Sequence, residues 1–150
     1  MSLPIRQQLS LEPAQAEYQA IRRMWIDHSK AEDARDLPGL IATLTEDCVY
    51  ELVASGQRWE GHNGARRFYT EFLTAFPDVQ FELTDIAIGP QGAIEVATLT
   101  ATFQGPWLGT PPTGGAVREI VAIVFPWDAG AGLFSGERIL LASRSAIGAR

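Results

Sequence analysis

Two glutamates in the second half of the chain carry the sharpest chemical signal. Glu95 sits in Ile94-Glu95-Val96-Ala97-Thr98-Leu99-Thr100-Ala101-Thr102-Phe103, where β-branched residues and alternating character predict a strand. Glu119 sits in a second such stretch, Val117 to Phe125. By alternation Glu95 shares a face with Ala97, Leu99, Ala101 and Phe103, and Glu119 with Val117, Val121, Ile123 and Phe125. A carboxyl in apolar surroundings either takes a raised pKa or finds a partner. Glu119 is therefore the candidate general base, whereas Glu95 reads better as a salt-bridged or wetted residue at a sheet end. Pairing Phe103 with Val117 sets Ala101 opposite Glu119 and Leu99 opposite Val121. The two glutamates then lie roughly six residues apart, about 20 Å along the strand, and form no dyad.

His28 has an intrinsic pKa suited to proton transfer at neutral pH, although such a histidine more often makes a hydrogen bond at a helix edge. Tyr69 could donate to a substrate oxygen or merely satisfy its hydroxyl within a packed core. Two histidines and one cysteine, none at ligand spacing, predict no metal site. No Gly-rich phosphate loop follows a strand, and Ser55-Gly56 and Ser135-Gly136 lack the surroundings of a nucleophile elbow, so no cofactor is expected.

The elements that must position these residues follow from capping and periodicity. Met1 to Leu9 reads as a loose arm. Ser10 caps a first helix with Glu12 and Pro13 in its first turn, and Tyr18, Ile21, Met24, Trp25, His28 and Ala31 form its stripe before an end near Ala34. Asp36 caps a short second helix with Pro38 in its first turn and Leu40, Ile41 and Leu44 inward. Cys48 to Leu52 is the first strand, with Tyr50 and Leu52 on one face. Ala54 to Gly64 reads as turn and loop. The third helix begins at His62 or Asn63, carries Ala65, Phe68, Tyr69, Phe72, Leu73 and Phe76 on one face, and stops at Pro77-Asp78. Phe81 to Ile88 is a strand whose apolar phase changes near Asp85, which predicts a bulge. Gly89-Pro90-Gln91-Gly92 turns the chain into the Glu95 strand, and the Gly- and Pro-rich Gln104 to Gly115 forms a long turn. Val117 to Phe125 is apolar on both faces and reads as a central strand. Asp128 to Gly132 makes a turn, Arg138 to Ser143 the last strand, and residues 144–150 a tail.

Helices first and an antiparallel meander later predict one α+β domain over residues 1–150. With 12 Lys and Arg against 18 Asp and Glu, the net charge of −6 disfavours nucleic acid as a partner. Cys48 is the only cysteine, so no internal disulfide can form, and a reducing cytoplasm is the expected location. Met1 to Gln8 lacks the pattern of a signal peptide, and no apolar run is long enough to cross a bilayer, so no membrane partner is expected.

Three segments carry a family resemblance. Gly105-Pro106-Trp107-Leu108-Gly109-Thr110-Pro111-Pro112-Thr113-Gly114, between two such strands, resembles the turn of the SnoaL-like polyketide cyclases, within the nuclear transport factor 2-like superfamily. Trp59-Glu60-Gly61-His62-Asn63-Gly64-Ala65-Arg66-Arg67-Phe68-Tyr69, leading to Ala75-Phe76-Pro77-Asp78, resembles that family's loop, third helix and exit. Leu44-Thr45-Glu46-Asp47-Cys48-Val49-Tyr50-Glu51 resembles its first strand entry. The resemblance implies three N-terminal helices packed in a strongly curved antiparallel sheet, a cone-shaped half-barrel with a pocket between helix and sheet. It also implies homodimers through the outer sheet face, a role that suits Thr98, Thr100 and Thr102.

Periodicity and resemblance together line the pocket with Trp25, His28, Tyr50, Leu52, Tyr69, Leu99, Glu119, Val121 and Ile123, with Trp107 folding over the mouth. The implied function is cofactor-independent proton transfer on a small apolar, polyketide-like carbonyl compound, with Glu119, His28 and Tyr69 catalytic. The alternative is a non-catalytic dimeric domain that binds a small apolar ligand. The positions that ketosteroid isomerases of this superfamily use for base, oxyanion-holding acid and tyrosine fall on Leu52, Val121 and Trp25, so that mechanism is not expected. The acidic residue that SnoaL-like cyclases carry on the last strands falls on Ala142.

Overall fold

A computed structural model describes residues 3–142 of the chain. Helices α1 (Ile5–Gln8), α2 (Gln15–Asp33) and α3 (Leu37–Ala42) precede strands β1 (Leu44–Leu52) and β2 (Gln57–Glu60). Helix α4 (Gly61–Ala75) then leads into β3 (Gln80–Gly89), β4 (Gly92–Thr102), β5 (Ala116–Asp128) and β6 (Leu133–Ala142). The six strands form one sheet in the order β2-β1-β6-β5-β4-β3. Its pairs are antiparallel except β1 with β6. The sheet is curved and unclosed, and the helices pack against its inner face, as an α+β architecture requires.

Local chemistry explains the positions of the helices. Asp36 accepts from the Gly39 amide at 3.1 Å and caps α3, with Pro38 in the first turn. Helix α4 buries Ala65, Phe68, Tyr69 and Ala75. Its aromatic stripe continues through stacked Phe68 and Phe72 and tilted Phe76. In α2 the stripe buries Ile21, His28 and Ala31. That helix starts at Gln15 after an extended Ala14, not at Ser10, whose hydroxyl instead donates to the Gln7 carbonyl. The expected loose arm contains the single-turn α1. Ser143 and the tail lie outside the described residues.

Several strands differ from expectation, β6 among them, since it begins at Leu133 rather than Arg138. β1 begins at Leu44 rather than Cys48, because Leu44 already pairs with Phe134. β2 occupies a stretch read as loop. Only Trp59 of its four residues is buried, so hydrophobic alternation could not reveal it. The hairpin of β4 and β5 sits two residues from the expected register: Leu99 pairs with Glu119, Ala97 with Val121 and Glu95 with Ile123. The ladder runs on into the glycines, where Phe103 bonds to Gly114 and Gly115, so the turn closes before the first apolar residue, Val117. Elsewhere the β3 register shifts between Leu83 and Asp85, where the apolar phase of the sequence changes. No helix among the described residues is long and apolar enough to cross a membrane.

Candidate active site

The deepest polar group on the inner face owes its position to a bulge. Between the pairs Val124↔Arg138 and Trp127↔Phe134, β6 carries one residue more than β5. Gly136 absorbs it at φ 118°, and a Cβ there would collide with the Val49 backbone. The extra residue shifts the side-chain phase, so that Phe134 and Glu137 both face inward, followed by Ile139. Phe134 and Glu137 are 0% and 3% exposed.

Glu137 is tied to residues from α2 and α4. His28 Nε2 lies 2.9 Å from Glu137 Oε1, and the Tyr69 hydroxyl donates to the same oxygen at 2.9 Å. Tyr69 is also 3.2 Å from His28 Nε2 and 2.9 Å from the Tyr50 hydroxyl. On the other side of the ring, His28 Nδ1 is 2.7 Å from Thr43 Oγ1, which itself donates to the Leu40 carbonyl at 2.7 Å. Because the Thr43 proton is committed to Leu40, Oγ1 accepts and Nδ1 carries the imidazole proton. The Nε2 side of the ring then faces Glu137 Oε1 and the Tyr69 hydroxyl. Burial, reinforced by the charge of Glu137, pushes both phenols well above their usual range, so Tyr50 and Tyr69 act as donors.

This network opens on a cavity of about 190 Å³. Glu32, Tyr69, Glu119 and Glu137 contribute its polar groups, and Phe68, Phe72, Phe76, Phe81 and Trp107 its aromatic wall. Trp107 stacks on Trp59 at 6.3 Å and meets Phe68, Phe72 and Phe76 edge-on, which fixes it as wall. The carboxyl of Glu32 is pushed well above the usual range, first by burial and then by the charges of Glu137 and Glu95, with Arg35 opposing. The shift biases Glu32 toward its protonated form, beside Glu137. His28, Glu32 and Glu137 each offer a ligand atom within 4.8 Å of the others, a grouping of the kind that could hold a divalent cation. In the arrangement seen, however, His28 and Glu137 are bonded to each other.

The residues singled out in the sequence divide into groups. Leu52, Tyr69, Leu99, Trp107, Glu119, Val121 and Ile123 line the cavity. His28 lies behind Glu137 and Tyr69, 2% exposed, and reaches the cavity only through them. Trp25 and Tyr50 do not line it: the Trp25 indole donates to Glu95 at 2.9 Å, and Tyr50 is fully buried behind Tyr69. Glu119 is set apart from His28, since it sits six residues along β5 from Phe125, whose ring packs 5.4 Å from His28, roughly 20 Å of strand. The acid on the last strand is Glu137, not Ala142. It was hidden because Ser135-Gly136 resembles a turn, so the expected strand began at Arg138 whereas β6 begins at Leu133 and includes Glu137. Glu32 was also missed, although its spacing of four from His28 puts both on one helical face.

Comparison with known proteins agrees with this architecture. The model of the SnoaL-like domain matches residues 22–131. No curated protein matches the chain. Among solved structures, a protein from Jannaschia Sp. CCS1, provisionally described as a SnoaL-like polyketide cyclase, superposes with a TM-score of 0.77 at 18% identity, covering 91% of this chain and 95% of that one. AclR from Streptomyces galilaeus, provisionally described as a hydroxylase, gives 0.68 at 22% identity over 87% and 94% of the two chains. A Kribbella flavida DSM 17836 protein, provisionally described as a ketosteroid isomerase, gives 0.67 at 20% over 85% and 81%. These likenesses are of fold, and the domain match, the six-stranded cone and the shared architecture together place the chain in the SnoaL-like domain family.

Proposed function

We propose that the protein is a cofactor-independent enzyme that moves a proton at the carbon next to a carbonyl in a small, largely apolar, polyketide-like molecule. One observation carries this reading: Glu137, braced by His28 and Tyr69, and Glu32, whose carboxyl burial pushes well above its usual range, line the same largely apolar cavity. Two carboxyls with opposite duties are what enolisation needs. The hydrogen bonds of Glu137 run to Oε1, leaving Oε2 to take the substrate proton. As that C–H bond breaks, Glu32 donates to the carbonyl oxygen on which negative charge develops. His28 keeps the Glu137 carboxylate oriented. Return of the proton to another carbon completes an isomerisation; attack of the enolate on a second carbonyl closes a ring.

Deuterium exchange tests the reading. A panel of cyclic aryl ketones such as α-tetralone, incubated with the protein in D₂O and followed by proton NMR, is expected to lose α-proton signal faster than in buffer alone. Exchange no faster than in buffer across the panel would contradict it and favour the non-catalytic, ligand-binding alternative. We further propose that the protein acts as a homodimer joined through its outer sheet face, where Ile94, Ile120 and Leu140 are exposed.

A further inference from the structure

We propose that the substrate carries a protonated amine at the end remote from its reacting carbonyl and that Glu119 receives it, a step that rests on the proton-transfer reading of the cavity. Glu119 lies in one row across the sheet with Leu99 and Phe81, far from Glu137 along β5 and β6. Its Oε2 is buried and meets no hydrogen-bond donor among the described residues, an arrangement that folded proteins seldom leave uncompensated. The proton-transfer step does not use it. Among the described residues the lining supplies no cation: Glu32, Glu119 and Glu137 are the charged types present there, with neither lysine nor arginine. An anionic ligand would thus meet three carboxyl groups and no counter-charge among the described residues. A ligand that brings its own N–H donors and positive charge satisfies Glu119.

The walls favour the same chemistry. Phe72 and Phe81 lie 6.5 Å apart, and Trp107 is 5.6 Å from Phe72, so aromatic faces border the cavity that Glu119 lines. Aromatic faces attract an ammonium group within about 6 Å of the ring centroid, more so where water is excluded. A hydroxyl would offer Glu119 one donor and no charge. The chain's net charge of −6 also draws cations rather than anions toward the molecule. The ligand class that fits is an elongated aromatic body with a carbonyl at one end and an aminoalkyl group at the other.

Three matched probes test this: naphthylethylamine, naphthylethanol and naphthylacetate, titrated calorimetrically at neutral pH into wild type, Glu119→Gln and Glu119→Asp. The amine is expected to bind wild type at least about tenfold tighter than the alcohol, with the acetate weakest. Glu119→Gln should abolish that preference, and Glu119→Asp should keep part of it, with circular dichroism showing both variants folded. Equal binding of amine and alcohol, stronger binding of the acetate, binding of none of the three, or an amine preference that survives in Glu119→Gln would each overturn the proposal. Ketone exchange separates the two readings. An amine preference in a protein that exchanges no ketone upholds the Glu119 site and removes the proton-transfer reading, whereas active exchange with an acetate preference removes only the amine.

Discussion

At the scale of single residues, the interior is distinguished by carboxyl groups that burial keeps from ionising easily. Glu95 is the clearest case: burial, then the charge of Glu137, raises it to about 7, and the Trp25 indole pulls the other way. A carboxyl whose folded pKa exceeds its unfolded value of 4.5 holds a proton in the native state that the unfolded chain has released. Its contribution to stability is present in full below about 4.5 and is lost as pH rises to about 7, by up to about 3 kcal/mol. Glu32 acts in the same direction. We expect wild type to lose stability between pH 4.5 and 7 and Glu95→Gln to show a shallower decline, measured as urea unfolding free energies at pH 5 and pH 8. Parallel profiles for the two proteins would show that Glu95 does not titrate as described. Cys48, raised to about 11 by burial, remains a thiol and takes no part.

At the scale of elements, the placement of Glu137 depends on the bulge at Gly136. Gly136→Ala adds a Cβ that meets the Val49 backbone at a φ of 118°, so either the β1–β6 pairing gives way or the bulge straightens and turns Glu137 out of the cavity. We expect a loss of at least about 2 kcal/mol in unfolding free energy, together with a loss of ketone exchange. Unchanged stability and activity would show that the bulge is not needed. This element also marks the limit of what the chain discloses before folding. The α4 stripe, the Asp36 cap, the two-faced β4 and the bend near Asp85 are legible because each rests on local spacing or local chemistry. The inward turn of Glu137 is not, since one inserted residue reverses the phase and its cause, the Val49 backbone, is remote in sequence. The β4–β5 register failed for a related reason: the ladder continues into Gly114 and Gly115, which carry no side-chain pattern. His28, Tyr69 and Glu119 could be named as types, but only the folded chain shows that the first two converge and the third stands apart.

At the scale of the molecule, the curved sheet separates two surfaces of different character. Its concave side holds the helices and the cavity. Its convex side presents Ile94, Ile120 and Leu140 with the β4 threonines, Thr98, Thr100 and Thr102, an apolar and weakly polar face suited to a second copy of the chain. Thr100, paired with Arg118, is exposed there, so in the proposed dimer Thr100→Arg would bring two arginines from each copy to the joined faces. Light scattering during size-exclusion chromatography should find wild type at twice the chain mass and Thr100→Arg at the chain mass; a dimer in both would reject this face as the interface.

The concave side is where the account of function stands or falls, and Glu137 is its centre. The measurement that tests it most directly is the rate of α-proton exchange from a ketone that wild type accepts, compared between wild type and Glu137→Gln, with folding of the variant verified by its thermal transition. The glutamine keeps the shape and can still accept from Tyr69, but it cannot take a proton from carbon. A fall of about 10²–10⁴-fold is the predicted result. Exchange in Glu137→Gln at the wild-type rate would contradict the account and return the role of base to another group lining the cavity.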